Sequence, residues 1–151
     1  MSLIYKKGDV LNSNERIVIH GCNCKCTMGG GIARQVAAEF PLAFEVDKNT
    51  FWGDKNKLGS FTYAVVNSAG MIIVNAYTQY NYTRTEVDLD YEALIESICS
   101  IVDYFTRTFN IYVFSMPKIG CGLAGGDWEI VKEILTDIAT ERGVTFQVYE
   151  L

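Results

Sequence analysis

The chain has 151 residues, which fits one domain of typical size, and 49% of them are hydrophobic, enough for a sizeable core. Charged residues make up 21% and no low-complexity segment occurs, so the composition excludes a disordered chain. The formal net charge of −5 disfavours general nucleic-acid binding, because a surface that follows a phosphate backbone is usually basic.

Apolar patterning along the chain predicts alternating strands and helices. The predicted strands are 4–6, 16–20, 61–66, 71–76, 111–116 and 144–149. Helical spacing predicts helices at 31–40, 88–107 and 127–142, whereas 42–58 is a helix or a loop. Segment 67–70 is a turn that makes 61–66 and 71–76 a hairpin, and 77–84 is an aromatic and polar loop. This alternation predicts an α/β fold with a mostly parallel sheet and helices on both faces.

Two glycine-rich loops follow predicted strands and contain eight of the 13 glycines. They lie within 18–33 and 114–128, and each leads from a strand into a helix. Glycine lets the backbone approach a ligand, and the start of a helix presents free N–H groups to an anion. Because ligands of such sheets bind at the carboxyl ends of the strands, where both loops lie, we expect a diphosphate-sized ligand between them.

Five segments in this order resemble the macrodomain family, the ADP-ribose-binding fold: Lys7-Gly8-Asp9, Ile19-His20-Gly21-Cys22-Asn23-Cys24, Gly29-Gly30-Gly31-Ile32-Ala33, Ser115-Met116-Pro117-Lys118-Ile119-Gly120-Cys121-Gly122-Leu123 and Phe146-Gln147-Val148-Tyr149-Glu150-Leu151. They span nearly the whole chain. The match is best to the branch that includes yeast ADP-ribose-1″-phosphate phosphatase and the terminal ADP-ribose protein glycohydrolase. The resemblance implies a single three-layer α/β/α macrodomain over residues 1–151.

The resemblance also implies ligand contacts. Asp9 would accept a hydrogen bond from the adenine amino group, with Val10 beside it and Tyr149 near the same end. Asn23 lies where macrodomains hold the distal ribose. The other implied contacts wrap the distal ribose and cradle the diphosphate through backbone N–H groups: Gly30, Gly31, Ile32, Ile119, Gly120, Cys121, Gly122 and Leu123.

Two residues are candidates for catalysis. Asp127, where the second loop becomes a helix, would activate water against a distal phosphate; alternatively it caps that helix, a position that aspartate favours. His20, the one histidine, would serve as a general acid or base near neutral pH; alternatively it holds the loop by hydrogen bonding.

Other chemistries fit the residues less well. The glycohydrolase of this branch uses a lysine and an aspartate, whereas the corresponding region 77–80 has no lysine and the aspartate position is Ala124. The close spacing of Cys22, Cys24 and Cys26 is unlike zinc sites, so no metal and no cofactor are predicted. Cys121 lacks the following arginine that a cysteine phosphatase would need, and no role is predicted for Phe51-Trp52-Gly53.

The leading hypothesis is a phosphatase that hydrolyses ADP-ribose-1″-phosphate to ADP-ribose and phosphate. The alternatives are an ADP-ribosyl hydrolase that acts on protein or nucleic acid, and a non-catalytic ADP-ribose reader. The odd cysteine count and the absence of a secretory signal or transmembrane-length run favour a cytoplasmic protein with reduced thiols, without membrane contacts. Nothing demands an oligomer, so we expect a monomer.

Overall fold

The computed structural model describes residues 2–83 and 85–151, so Met1 and Arg84, the last residue of the predicted loop 77–84, lie outside the described residues. Within them the chain forms one six-stranded sheet in the order β1-β6-β5-β2-β4-β3. Its strands are β1 (Ser2–Lys7), β2 (Ile17–Cys22), β3 (Phe61–Val65), β4 (Ile72–Tyr77), β5 (Val113–Met116) and β6 (Thr145–Glu150). Every neighbouring pair is parallel except the hairpin of β3 and β4, which confirms the mixed, mostly parallel sheet.

The α-helices of the described chain are α1 (Gly31–Glu39), α2 (Pro41–Lys48), α3 (Tyr91–Phe109) and α4 (Trp128–Arg142). Helix α1 stops at Glu39, just before Pro41, as predicted. Pro41 is also the first residue of α2, a position that suits proline because the first turn of a helix leaves its N–H groups unbonded. Segment 42–58 therefore holds most of a helix and then the 3₁₀ turn Lys55–Lys57.

Alternate residues of β2 supply two hydrophobic cores. Ile17 and Ile19 pack in the core that contains the inner faces of α3 and α4. Val18 and Cys22 pack in the second core, which contains Val36 of α1. Because strand side chains alternate between faces, helices cover both sides of the sheet and His20 lies on the α1–α2 side. The buried residues of α3 match those expected from its spacing, among them Leu94, Ile98, Ile101, Val102 and Phe105.

Strand β2 is the topological switch point of the sheet, because the strands that follow it in the chain lie on both of its sides: β3 and β4 on one side, β5 and β6 on the other. It pairs with β4 on one side and β5 on the other, and all three run parallel. Their carboxyl ends therefore meet at one edge of the sheet, where the loops that follow them diverge and leave space for a ligand. The β3–β4 turn at 67–70 lies at the opposite end. In the described part of the chain, no helix has the length and apolar character needed to cross a bilayer.

Candidate functional site

A cleft of about 500 Å³ opens at the carboxyl ends of β2, β4 and β5, a volume typical of small-ligand sites. Its walls are the loop after β2 with the start of α1, the loop after β4 and the loop after β5. The described lining residues are Gly21, Cys22, Asn23, Thr27, Gly29, Gly30, Gly31, Ile32, Ala33, Gln79, Tyr82, Asp88, Pro117, Lys118, Ile119, Gly120, Gly122, Leu123 and Ala124.

Asn23 shapes the first wall. Its Nδ2 donates to the carbonyl oxygen and the hydroxyl oxygen of Thr27, at 3.1 and 2.9 Å. Its Oδ1 accepts from the N–H of Lys25 at 2.8 Å. These bonds close the loop after β2 and hold Asn23 against the cleft.

The start of α1 completes this wall. Gly30 occupies the N-cap position, and the N–H of Arg34 donates to the Gly30 carbonyl at 3.3 Å. The N–H groups of residues 31–33 precede the first bond of the helix and so lack intrahelical partners. Gly31 has φ 57°, and a Cβ there would lie 3.6 Å from Cδ1 of Leu123, so the two glycine loops meet at this point.

Two successive turns form the opposite wall. The N–H of Cys121 donates to the Lys118 carbonyl at 3.2 Å, and that of Gly125 donates to the Gly122 carbonyl at 3.1 Å. The central N–H groups of such turns have no partner within the turn. In these two turns the central residues are Ile119, Gly120, Leu123 and Ala124, which line the cleft and donate to no other described backbone carbonyl.

Backbone N–H groups outnumber cationic side chains as the donors that the cleft offers to an anion. Lys118 is the one cationic side chain among the described lining residues, and its Nζ lies 2.8 Å from the carboxylate of Glu150. Because that charge is already paired, an anion in the cleft relies mainly on the free N–H groups of the two glycine loops.

Asp88 supplies the one carboxylate among the described lining residues. Both of its carboxylate oxygens accept from the hydroxyl of Thr83, at 2.9 and 3.1 Å, and its N–H donates to the Ala124 carbonyl at 2.8 Å. Sequence reasoning placed Asp88 at the start of the longest helix and missed it. That helix begins at Tyr91 with Asp90 as its N-cap, which leaves Asp88 in the loop at the cleft.

The structure brings together most of the residues implied by the resemblance. Those that line the cleft are Asn23, Gly30, Gly31, Ile32, Ile119, Gly120, Gly122 and Leu123. Cys121 lies within the same loop, but its Sγ donates to the Ile119 carbonyl, and burial raises the pKa of this thiol to about 11. A thiol that stays protonated at neutral pH does not support a nucleophilic role.

The residues implied for the adenine end lie outside the cleft lining. Asp9 follows β1 and accepts from the N–H of Leu11 at 3.0 Å, whereas the side chain of Val10 is buried in the second core. Tyr149 lies near the end of β6, and its hydroxyl donates to Glu15. These positions follow the same sheet edge beyond β5, because β6 and β1 continue the row of parallel strands.

His20 is buried on the α1–α2 side of the sheet and does not line the cleft. The Nδ2 of Asn75 donates to the carbonyl of Ala43 and to the hydroxyl of Thr62, so its Oδ1 accepts from Nε2 of His20 at 2.7 Å. Burial lowers the pKa of His20 to about 4. A neutral, enclosed imidazole does not support the predicted acid–base role.

Asp127 caps α4. Its carboxylate accepts from the N–H of Glu129 at 3.0 Å, and its own N–H donates to the hydroxyl of Tyr91 at 2.9 Å. The side chain is exposed and does not line the cleft, so its position supports the capping alternative. In residues 2–83 and 85–151, no group of three or more His, Cys, Asp or Glu side chains is arranged to hold a metal ion.

The sheet and its cleft define an α/β domain with two glycine loops opposed at a topological switch point. The Macro domain family model matches residues 19–135, and the chain therefore belongs to the macro domain family. A 17.5 kDa protein from the tk-vs intergenic region of Enterobacteria phage T4 is 32% identical over 157 residues, covering 99% of this chain and 98% of the relative.

Two further comparisons concern ADP-ribose. The ADP-ribose 1″-phosphate phosphatase of Saccharomyces cerevisiae (strain YJM789) is 28% identical over 178 residues and covers 99% of each chain. The solved structure of Thermosipho africanus DarTG in complex with ADP-ribose has a TM-score of 0.76 at 19% identity, covering 97% of this chain and 41% of that one. This structural likeness confirms the α/β macrodomain fold.

Proposed function

We propose that the cleft binds ADP-ribose and that the chain hydrolyses ADP-ribose 1″-phosphate to ADP-ribose and phosphate. One observation carries the proposal: both glycine loops line one cleft, and they include residues whose N–H groups donate to no other backbone carbonyl, the donors that a diphosphate requires. The yeast phosphatase that is similar over its full length supports the choice of reaction.

The carboxyl ends of β1, β6, β5 and β2 form a row whose length matches that of an extended ADP-ribose molecule. Adenine would lie near Asp9 and Tyr149, at the carboxyl ends of β1 and β6, and the distal ribose near Asn23, after β2. Three strand spacings separate β1 from β2, or about 14 Å, so one extended dinucleotide-sized molecule can reach both ends. The diphosphate would then lie across the loop after β5.

Asp88 is the group that we propose for the chemistry. Asp88 lines the cleft and its carboxylate accepts from the Thr83 hydroxyl, so it can deprotonate a water that attacks the terminal phosphate. The bond between phosphorus and the 1″ oxygen of the ribose would break, and the proton taken by Asp88 would pass to that leaving oxygen. Backbone N–H groups would stabilise charge on the phosphate oxygens. Asp127, proposed for this role from the sequence, is the alternative that the same experiment tests, whereas the enclosed neutral imidazole of His20 is not proposed for it.

The test compares wild type with Asp88→Asn and Asp127→Asn. Phosphate release from ADP-ribose 1″-phosphate measures turnover, and calorimetry measures ADP-ribose affinity. We expect Asp88→Asn to lower kcat by about 100-fold or more, the effect of losing a general base, with affinity changed by less than about threefold. Asp127→Asn keeps a capping side chain and should retain wild-type turnover.

Other outcomes reassign the site. Loss of turnover in Asp127→Asn with normal turnover in Asp88→Asn would return the catalytic role to Asp127. Tight ADP-ribose binding by wild type without phosphate release would refute the phosphatase and leave a reader or an ADP-ribosyl hydrolase, which turnover of ADP-ribosylated protein and nucleic acid would separate.

A further inference from the structure

A surface of aromatic rings and ammonium groups lies beside the cleft and has no part in the proposed function. Phe51 and Trp52 are 80% and 69% exposed, the most exposed aromatic side chains in the described chain. With Tyr80, Lys25 and Lys55 they form what we term the Lys–aromatic surface.

The rings and cations of this surface alternate. The Nζ of Lys25 lies 5.9 Å from the centre of the Trp52 ring and 5.2 Å from that of Tyr80. The Nζ of Lys55 lies 5.2 Å from the Tyr80 ring. Cation–π attraction therefore holds both ammonium groups close to the rings.

Backbone hydrogen bonds join the three segments that carry the surface. The N–H of Gly53 donates to the Cys24 carbonyl at 2.7 Å, and the N–H of Cys24 donates to the Tyr80 carbonyl at 3.2 Å. The hydroxyl of Tyr80 donates to the Gly53 carbonyl at 2.8 Å. Because the surface is already assembled, binding a partner requires little ordering of the chain.

The surface is continuous with the cleft. The N–H of Lys25 donates to the side chain of Asn23, a cleft residue, and Tyr80 lies in the chain between the cleft residues Gln79 and Tyr82. A molecule on the Lys–aromatic surface would therefore approach the end of the cleft formed after β2 and β4.

We propose that the Lys–aromatic surface binds a single strand of nucleic acid, with bases stacked on Phe51 and Trp52 and phosphates facing Lys25 and Lys55. Proteins bind single-stranded nucleic acids through exposed aromatic rings with neighbouring cations, because each base can stack on a ring and each phosphate carries a negative charge. An acidic peptide would satisfy the lysines but would leave the rings exposed.

The charge of the whole chain limits the length of this contact. Two lysines match about two phosphates, and the net charge of −5 disfavours a longer path over the surface. Asp54, the neighbouring acid, accepts from the N–H of Asn56 at 2.9 Å within the 3₁₀ turn. The proposal does not depend on the phosphatase activity.

Stacking is tested by the fluorescence of Trp52 in a Trp128→Phe background, which leaves Trp52 as the sole tryptophan. Titration with eight-nucleotide oligo-dT and oligo-U at low salt should quench this fluorescence, and comparing the two separates a DNA from an RNA preference. The logarithm of affinity should fall with the logarithm of salt with a slope of about −1.4, and Lys25→Ala should reduce the slope by about 0.7.

Variants are compared through the anisotropy of fluorescein-labelled oligonucleotide. Trp52→Ala should weaken binding at least about fivefold, and Trp52→Phe should restore most of it. Tyr112→Ala, which removes an exposed ring elsewhere, should bind as wild type does, and Trp52→Ala should keep wild-type phosphate release because Trp52 does not line the cleft. Unchanged affinity in Trp52→Ala, or tighter binding of an oligoglutamate peptide than of either oligonucleotide, would overturn the proposal.

Discussion

His20 is enclosed as a neutral imidazole, and this makes its protonation a cost to the folded state. The unfolded chain takes up a proton near the ordinary pKa of 6.5, whereas burial lowers the pKa in the folded chain to about 4. The unfolded state therefore binds more protons in this interval, and its stability relative to the folded state rises as the pH falls.

We expect the contribution of His20 to be complete above pH 6.5 and to be lost as the pH falls to about 4, a change of about 3 kcal/mol in the free energy of unfolding. Urea unfolding of wild type and His20→Gln at pH 7, 6, 5 and 4 measures it. The variant should be less stable at pH 7 and should show a shallower decline. Equal declines in both proteins would contradict the buried neutral state.

Single residues also show what the sequence can predict of the site. The glycines and Asn23 are recognisable because the backbone path and loop closure depend on their residue type. The positions of His20 and Asp88 depend on tertiary structure. The alternation of side chains along β2 places His20 on the side of the sheet that α2 covers. Because α3 begins after its N-cap Asp90, Asp88 stays in the preceding loop, at the cleft.

Asp127 is the N-cap residue of helix α4, and this position gives it a structural role. Replacing it with alanine leaves the N–H of Glu129 without its acceptor and should cost about 1 kcal/mol, whereas Asp127→Ser should retain most of the stability. Thermal unfolding of the three proteins measures the difference, with phosphate release as the second readout. Loss of turnover in Asp127→Ser at wild-type stability would refute a purely structural role.

The loop after β5 depends on a close approach between two of its backbone segments. The N–H of Gly126 donates to the Gly120 carbonyl, and a Cβ on Gly126 would lie 2.6 Å from that oxygen and would also collide with Leu89. We expect Gly126→Ala to cost about 2 kcal/mol in denaturant unfolding, because a backbone atom cannot move aside as a flexible side chain does.

Gly122→Ala is the matched control in the same loop. A Cβ there would have no atom within 4 Å, and its stability should lie within about 0.5 kcal/mol of wild type. Similar stabilities of the two alanine variants would show that the approach of Gly126 to Gly120 does not shape the loop.

The elements themselves were largely predictable. All six strands and the helices at 31–40, 88–107 and 127–142 are present, with ends displaced by a few residues. Apolar spacing finds an element because burial imposes it, whereas the ends depend on caps such as Asp90 and Asp127. The start of α2 at Pro41 required knowing that a proline that stops one helix can begin the next.

At the scale of the whole molecule, ligand binding should be visible as stability. If the cleft binds ADP-ribose, a concentration of about 100 times Kd adds about 2.7 kcal/mol to the free energy of unfolding. For a domain of 151 residues we expect Tm to rise by about 5–10 °C in differential scanning fluorimetry. AMP at the same concentration should give a smaller rise, and no shift with ADP-ribose would contradict the proposed ligand.

The antiparallel pairing of β3 with β4 has a practical consequence. Because β3 runs against its neighbour, the turn at 67–70 lies at the end of the sheet opposite the cleft, and its residues 67–69 are exposed. Exposed hairpin tips accept inserted sequence with little loss of folding. This tip is thus a suitable attachment point for a fluorophore or a surface-immobilisation tag, which would leave the opposite end of the protein open to solution during binding measurements.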